Sequence, residues 1–183
     1  MSSKIIVRHC SPTLAGMKMG NLFTYKFQSE IQLLAELDEW NSIFNKRGIF
    51  FVALRKNSGI ALIYVYRKKQ LEKELGKKEI IRLLEESGYF TESIEKCLEY
   101  LSKKLTIGND FPHEIGVFLG YPLRDIKAFI KNKGHGFKFV GCWKVYTDKC
   151  EAKKTFEKYK KCTDIYCKKH AEGFDVTRLT VVV

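Results

Sequence analysis

Ile49-Phe-Phe-Val-Ala-Leu-Arg55, Lys56-Asn-Ser58 and Gly59-Ile-Ala-Leu-Ile-Tyr-Val-Tyr66 make up the stretch on which the fold turns. Two runs rich in β-branched and aromatic residues flank three turn-forming residues, which is the pattern of a β-hairpin. Both runs are almost continuously apolar, so both faces need cover and the strands belong in the centre of a sheet. Upstream, Ser29 can cap a helix whose Ile31, Leu34, Leu37, Trp40, Ile43 and Phe44 recur at helical spacing, ending near Gly48. Downstream, residues 68–76, 77–88 and 91–105 read as three consecutive helices, with Gly76 and Gly88 as terminators.

Further out, Ser11 and Pro12 read as the N-cap and first turn of a short helix over 11–16. Two short helices meet at Gly120, followed by a strand over 137–146. A lysine-rich helix over about 150–170 carries Phe156, Tyr159, Thr163, Tyr166 and His170 close to one face, Gly173 ends it, and residues 176–183 suit a last strand. With no internal repeat, low-complexity tract or linker, the expectation is one α+β domain over residues 1–183. It would hold a mixed or antiparallel sheet of about four strands flanked by helices.

The composition, 45% hydrophobic and 30% charged over 183 residues, is that of a globular protein. The apolar runs are too short to cross a bilayer, so no membrane partner is expected. Lys4-Ile-Ile-Val-Arg8 offers too few apolar residues for a secretory signal, so a cytoplasmic address and reduced thiols are expected for the six cysteines. None of them forms a Cys-x-x-Cys pair. Cys167 and His170 can share a helical face, but no second pair completes a metal site, and no metal is expected at that helix. The formal charge of +12 favours anions, yet glutamates are interspersed among most lysine clusters, as on a solvated surface.

The candidates for chemistry lie at helix starts and along the strand. Asn109 or Asp110 can cap a helix opening with Phe111-Pro112, which places His113 and Glu114 where the dipole favours a carboxylate and disfavours an imidazolium. His113 is then a base or ligand and Glu114 its orienter. The plainer account is a stabilising first-turn Glu and a His that satisfies a backbone group. Cys10, with His9 before the Ser11-Pro12 start, is a candidate nucleophile; otherwise it is an ordinary buried thiol. Alternation along 137–146 puts Lys144 and Tyr146 on one face, suited to an anion or a carbonyl, with Phe137, Phe139, Gly141, Trp143 and Val145 on the core face. A competing reading takes 114–131 as a helix-turn-helix, with Gly116 allowing close approach and Gly120 the left-handed turn. Arg124, Lys127 and Lys131 would then contact DNA.

The set His9-Cys-Ser-Pro-Thr-Leu-Ala15, Tyr66-Arg67, Phe111-Pro-His-Glu-Ile-Gly116, Phe118-Leu-Gly-Tyr-Pro122, Asp125 and Trp143-Lys-Val-Tyr146 resembles a bacterial family of small proteins of unknown function, nearly end to end. The resemblance carries no activity with it. It does imply that polar residues at the matching positions (His9, Cys10, Thr13, Arg67, His113, Glu114, Tyr121, Lys144 and Tyr146) serve a polar site. Arg124 and Lys127 fall outside those positions, which favours a pocket over a recognition helix. The expectation is a pocket for a small anionic ligand, cofactor or metal, its identity unknown. Here His113, Glu114 and Cys10 are the chemical candidates, and His9, Arg67, Tyr121, Lys144 and Tyr146 the ligand contacts.

Overall fold

A computed structural model describes residues 2–107 and 111–182. Its centre is an antiparallel sheet of β1 (Gly20–Lys26), β2 (Ile49–Asn57) and β3 (Ile60–Arg67) in the order β1-β3-β2. The expected hairpin is β2–β3. Asn57 pairs with Ile60, leaving a two-residue turn of Ser58 and Gly59, both at positive φ (46° and 76°), as a turn matched to strand twist requires. Every residue of β3 from Ala61 to Arg67 is buried. Leu62, Tyr64 and Tyr66 enter one helical layer; Ala61, Ile63 and Val65 enter the other.

Only β3 is central. β2 is an edge strand, contrary to the expectation from its apolar run, and its edge is covered by side chains. The Asn41 amide accepts from Phe51 N (2.8 Å) and donates to Phe51 O (2.9 Å), and Ser102 Oγ donates to Leu54 O (2.5 Å). The pairing strand on the far side, β1, escapes a reading of the sequence because only Gly20 and Phe23 of it are buried.

On one face lie α1 (Ser3–Leu14) and α2 (Glu30–Phe44). On the other lie α3 (Lys68–Leu75), α4 (Lys78–Glu86), α5 (Ile94–Ile107), the single turn α6 (Ile115–Phe118) and α7 (Leu123–Lys131). A two-stranded ribbon, β4 (Phe139–Val140) with β5 (Lys144–Val145), follows α7, and α8 (Lys149–Ala171) packs along α1. This is an α+β fold. Its helix caps are local: Ser29 Oγ accepts from Gln32 N (3.2 Å), and Asp148 Oδ1 accepts from Glu151 N (2.9 Å).

Four local expectations are corrected. Ser11 and Pro12 do not open a helix; they lie in the last turns of α1, whose N-cap is Ser2. Pro12 is tolerated there because its carbonyl receives Met17 N (2.9 Å) and Lys18 N (3.0 Å) as the chain reverses at Gly16. In α2, Leu33 rather than Leu34 faces the core, and Ile31 and Leu34 are exposed. The segment 137–146 is a hairpin rather than one strand, so Phe137 is exposed while Val145 and Tyr146 are both buried. Residues 176–179 form turns and 180–182 have no regular structure: Asp175 Oδ1 takes Thr177 N and Oγ1, and Thr180 Oγ1 bonds Val176 O, instead of a ladder.

Candidate functional site

The ribbon is fastened to α7 by one carboxylate. Asp125 is 3% exposed, and its Oδ2 receives Trp143 Nε1 (2.8 Å). Its Oδ1 receives Tyr146 N, Thr147 N and Thr147 Oγ1, each at 2.9 Å. This clamp fixes Trp143 against Tyr121, ring centroids 5.0 Å apart and planes tilted 32°, and against Phe156 edge-on at 4.5 Å. Beside the clamp is a cavity of about 160 Å³, lined among others by Phe111, His113, Tyr121, Phe129, Trp143 and Lys144.

Three of the residues singled out in the sequence meet there. His113 stands at the exposed side and packs edge-on against Phe129, centroids 4.9 Å apart. Tyr121 forms a wall, and burial raises its hydroxyl pKa. Lys144 Nζ donates to Gly134 O (3.0 Å) and sits over the Phe129 and Phe137 rings at 5.5 and 5.0 Å. Gly134 leaves room for it: a Cβ there would come 3.2 Å from Phe129 and 3.4 Å from the ammonium. Tyr146 lies behind this wall, edge-on to Phe129 at 6.5 Å. Its buried hydroxyl has no hydrogen-bond partner among the described residues, and burial, aided by Asp125, raises its pKa.

The other candidates are elsewhere. Glu114 does not orient His113. It turns inward, its side chain 7% exposed, to receive Tyr89 Oη (3.0 Å) and the Lys104 ammonium, a half-buried pair that ties the start of α6 to α5. The proposed caps Asn109 and Asp110 lie outside the described residues. Cys10 is within α1 rather than at a helix start, fully buried, and burial pushes its thiol pKa far up, the reverse of an activated nucleophile. His9, on the exposed side of α1, stacks on Phe23 at 5.3 Å, and burial followed by Arg8 lowers its pKa. Arg67 is no anion contact. Its Nε donates to Thr13 O (2.6 Å) and its Nη2 to Leu14 O (2.6 Å) and Val181 O (2.8 Å), joining β3 to the end of α1 and to the C-terminal tail.

One participant gave no signal in the sequence. Lys18, 9% exposed, donates to Asn21 Oδ1 (2.7 Å), and its ammonium lies 5.6 Å from the centre of the Tyr121 ring. Burial lowers its pKa. Asn21 in turn donates to His9 O, so the His9 backbone, rather than its ring, is linked to the cavity wall. A single lysine between two methionines has no periodicity from which such a placement can be read.

The helix-turn-helix reading gains nothing from the geometry. α6 is one turn long, and Arg124 and Lys127 border a groove that also holds Glu79, Asp148 and Glu151, with Lys127 4.0 Å from Glu79. Carboxylates in that position repel a phosphate backbone. Among the described residues no group of three or more His, Cys, Asp or Glu side chains is placed to hold a metal ion, and no helix is long and apolar enough to cross a membrane.

Fold and cavity together define an antiparallel sheet between helical layers, with a small aromatic pocket set against an appended ribbon. Over residues 6–180 the chain matches the model of the family described as "Protein of unknown function (DUF3793)", and it belongs to that family. No curated protein and no solved structure matches it.

Proposed function

We propose that the chain binds a small anionic organic molecule in the cavity between α7 and the ribbon, and that the cavity binds rather than catalyses. One observation carries the reading: Lys144 is the cationic residue of an aromatic cavity, and no carboxylate among the described residues lies within 4.0 Å of its ammonium. A cation placed against apolar walls attracts an anion more strongly than one in open water, because the surroundings screen it less. Catalysis is disfavoured by the state of the acids. Asp125 is the carboxylate of the lining and has both oxygens engaged, Glu114 is turned to Lys104 of α5, and the Cys10 thiol is sealed in the core. His113 then has no acid–base partner among the described residues.

We also place the protein in a bacterial cytoplasm, on its six free cysteines and the family resemblance. Trp143 provides the test. The other tryptophan, Trp40, lies in the opposite layer, so Trp40→Phe leaves a single reporter at the cavity. Addition of small organic acids is expected to change the emission of that variant saturably, and Tyr121→Ala to weaken the response. Unchanged emission across such acids, with the protein folded, contradicts the proposal.

A further inference from the structure

We infer that the ligand is a monocarboxylate carried on a single aromatic ring; this rests on the cavity being the ligand site. Three independent properties of the cavity converge on that class. The first is size. At about 160 Å³ the cavity matches the roughly 150 Å³ apolar cavity that accepts benzene, and falls well below the roughly 300–1,000 Å³ of pockets for drug-sized ligands. A nucleotide would extend beyond it.

The second is shape. Tyr121, Trp143 and Phe129 supply flat walls, and Trp143 cannot swing aside without breaking its bond to Asp125. Gly116 is part of the lining: a Cβ there would stand 3.0 Å from Ile126 and 3.2 Å from Tyr121, so the floor is already closed. A flat ring stacks or meets such walls edge-on, as aromatic pairs prefer.

The third is charge. Lys144 is the sole lysine or arginine of the lining, and its ammonium spends one donor on Gly134 O. Two of its three donors remain for a ligand oxygen. A phosphate or diphosphate calls for several cations or a cradle of backbone N–H groups, whereas a carboxylate is served by one ammonium. His113, at the exposed side, offers a second polar contact.

Isothermal titration of the full chain with benzoate, its neutral isostere benzamide, and adenosine monophosphate tests the assignment. Benzoate is expected to bind about ten- to a hundredfold more tightly than benzamide, the range for a hydrogen bond to a charged group. Adenosine monophosphate is expected to give no competition, and Lys144→Met to erase the preference for benzoate. Equal binding of benzoate and benzamide, or displacement of benzoate by the nucleotide, overturns the carboxylate while leaving the cavity as a ligand site. Absence of binding by either ring compound removes both. The benzoate-to-benzamide ratio on the unaltered chain decides the matter even if Lys144→Met fails to fold.

Discussion

Asp125 accepts four hydrogen bonds from three residues 18 to 22 positions further along the chain, and in doing so holds the ribbon to α7. Asp125→Asn keeps one acceptor for the three donors on Oδ1 but turns an N–H toward the Trp143 indole N–H. We expect a loss of about 3 kcal/mol, seen as a lower urea midpoint, together with greater mobility of Trp143. Tyr146→Phe should do the opposite of a damaging change. It removes a buried hydroxyl that has no partner, so stability is expected to stay level or rise by up to about 1 kcal/mol in the same measurement. Asp125 was visible in the sequence only as part of a resemblance. Its role depends on donors supplied by a distant turn, and no local spacing encodes that. His113 and Lys144 could be named because one stands at a helix signal and the other in a strand alternation, although the strand itself proved to be a ribbon; Tyr121, like Asp125, came only with the resemblance.

Among the elements, the β2–β3 hairpin was legible because its pattern is local: two apolar runs and a turn at Ser58-Gly59. β1 was not, since its character comes from what it touches. At Gly20 a Cβ would lie 2.6 Å from the Tyr64 ring and 2.7 Å from Phe118 O, so the strand passes its neighbours only as glycine. Gly20→Ala is expected to destabilise by about 1–3 kcal/mol and to broaden the thermal transition, as overpacking does. The start of α1 was misplaced for a related reason. Ser11-Pro12 carries the chemistry of a helix opening, but the carbonyls and amides of residues 12–18 satisfy one another at the helix end instead. Glu114 likewise follows its first-turn propensity in sequence and a tertiary partner, Lys104, in the fold.

For the whole molecule, two helical layers share β3, and the layer of α3 to α7 holds acidic groups that are neutral in the fold. Burial, followed by Glu92 and Glu95, pushes the Cys97 thiol from 9.0 up to about 11, and burial, followed by Glu95 and Glu72, pushes Tyr66 from 10.0 up to about 12. Groups whose folded pKa is raised contribute fully below the unfolded value and lose that contribution as pH rises through the folded one. Stability is therefore expected to hold up to about pH 9 and to fall between about 9 and 12, with Cys97→Ala flattening the first part of that decline in urea titrations at stepped pH. Arg67 binds the layers to the tail, and Arg67→Met, removing three hydrogen bonds from a charged donor, is expected to lower stability by about 3 kcal/mol or more. The α+β class followed from patterns of periodicity alone. The site did not, because the chain assembles it from segments around 111–129 and 143–144, whose meeting is a property of the packed whole.

The most direct measurement of the central claim is the map of amide and indole shifts in a two-dimensional NMR spectrum as benzoate is added. Changes should concentrate at Gly116, Tyr121, Ile126, Trp143 and Lys144, the cavity walls between α7 and the ribbon. Shifts confined to the exposed lysines of α8, or no shifts at all with the spectrum otherwise intact, would contradict it.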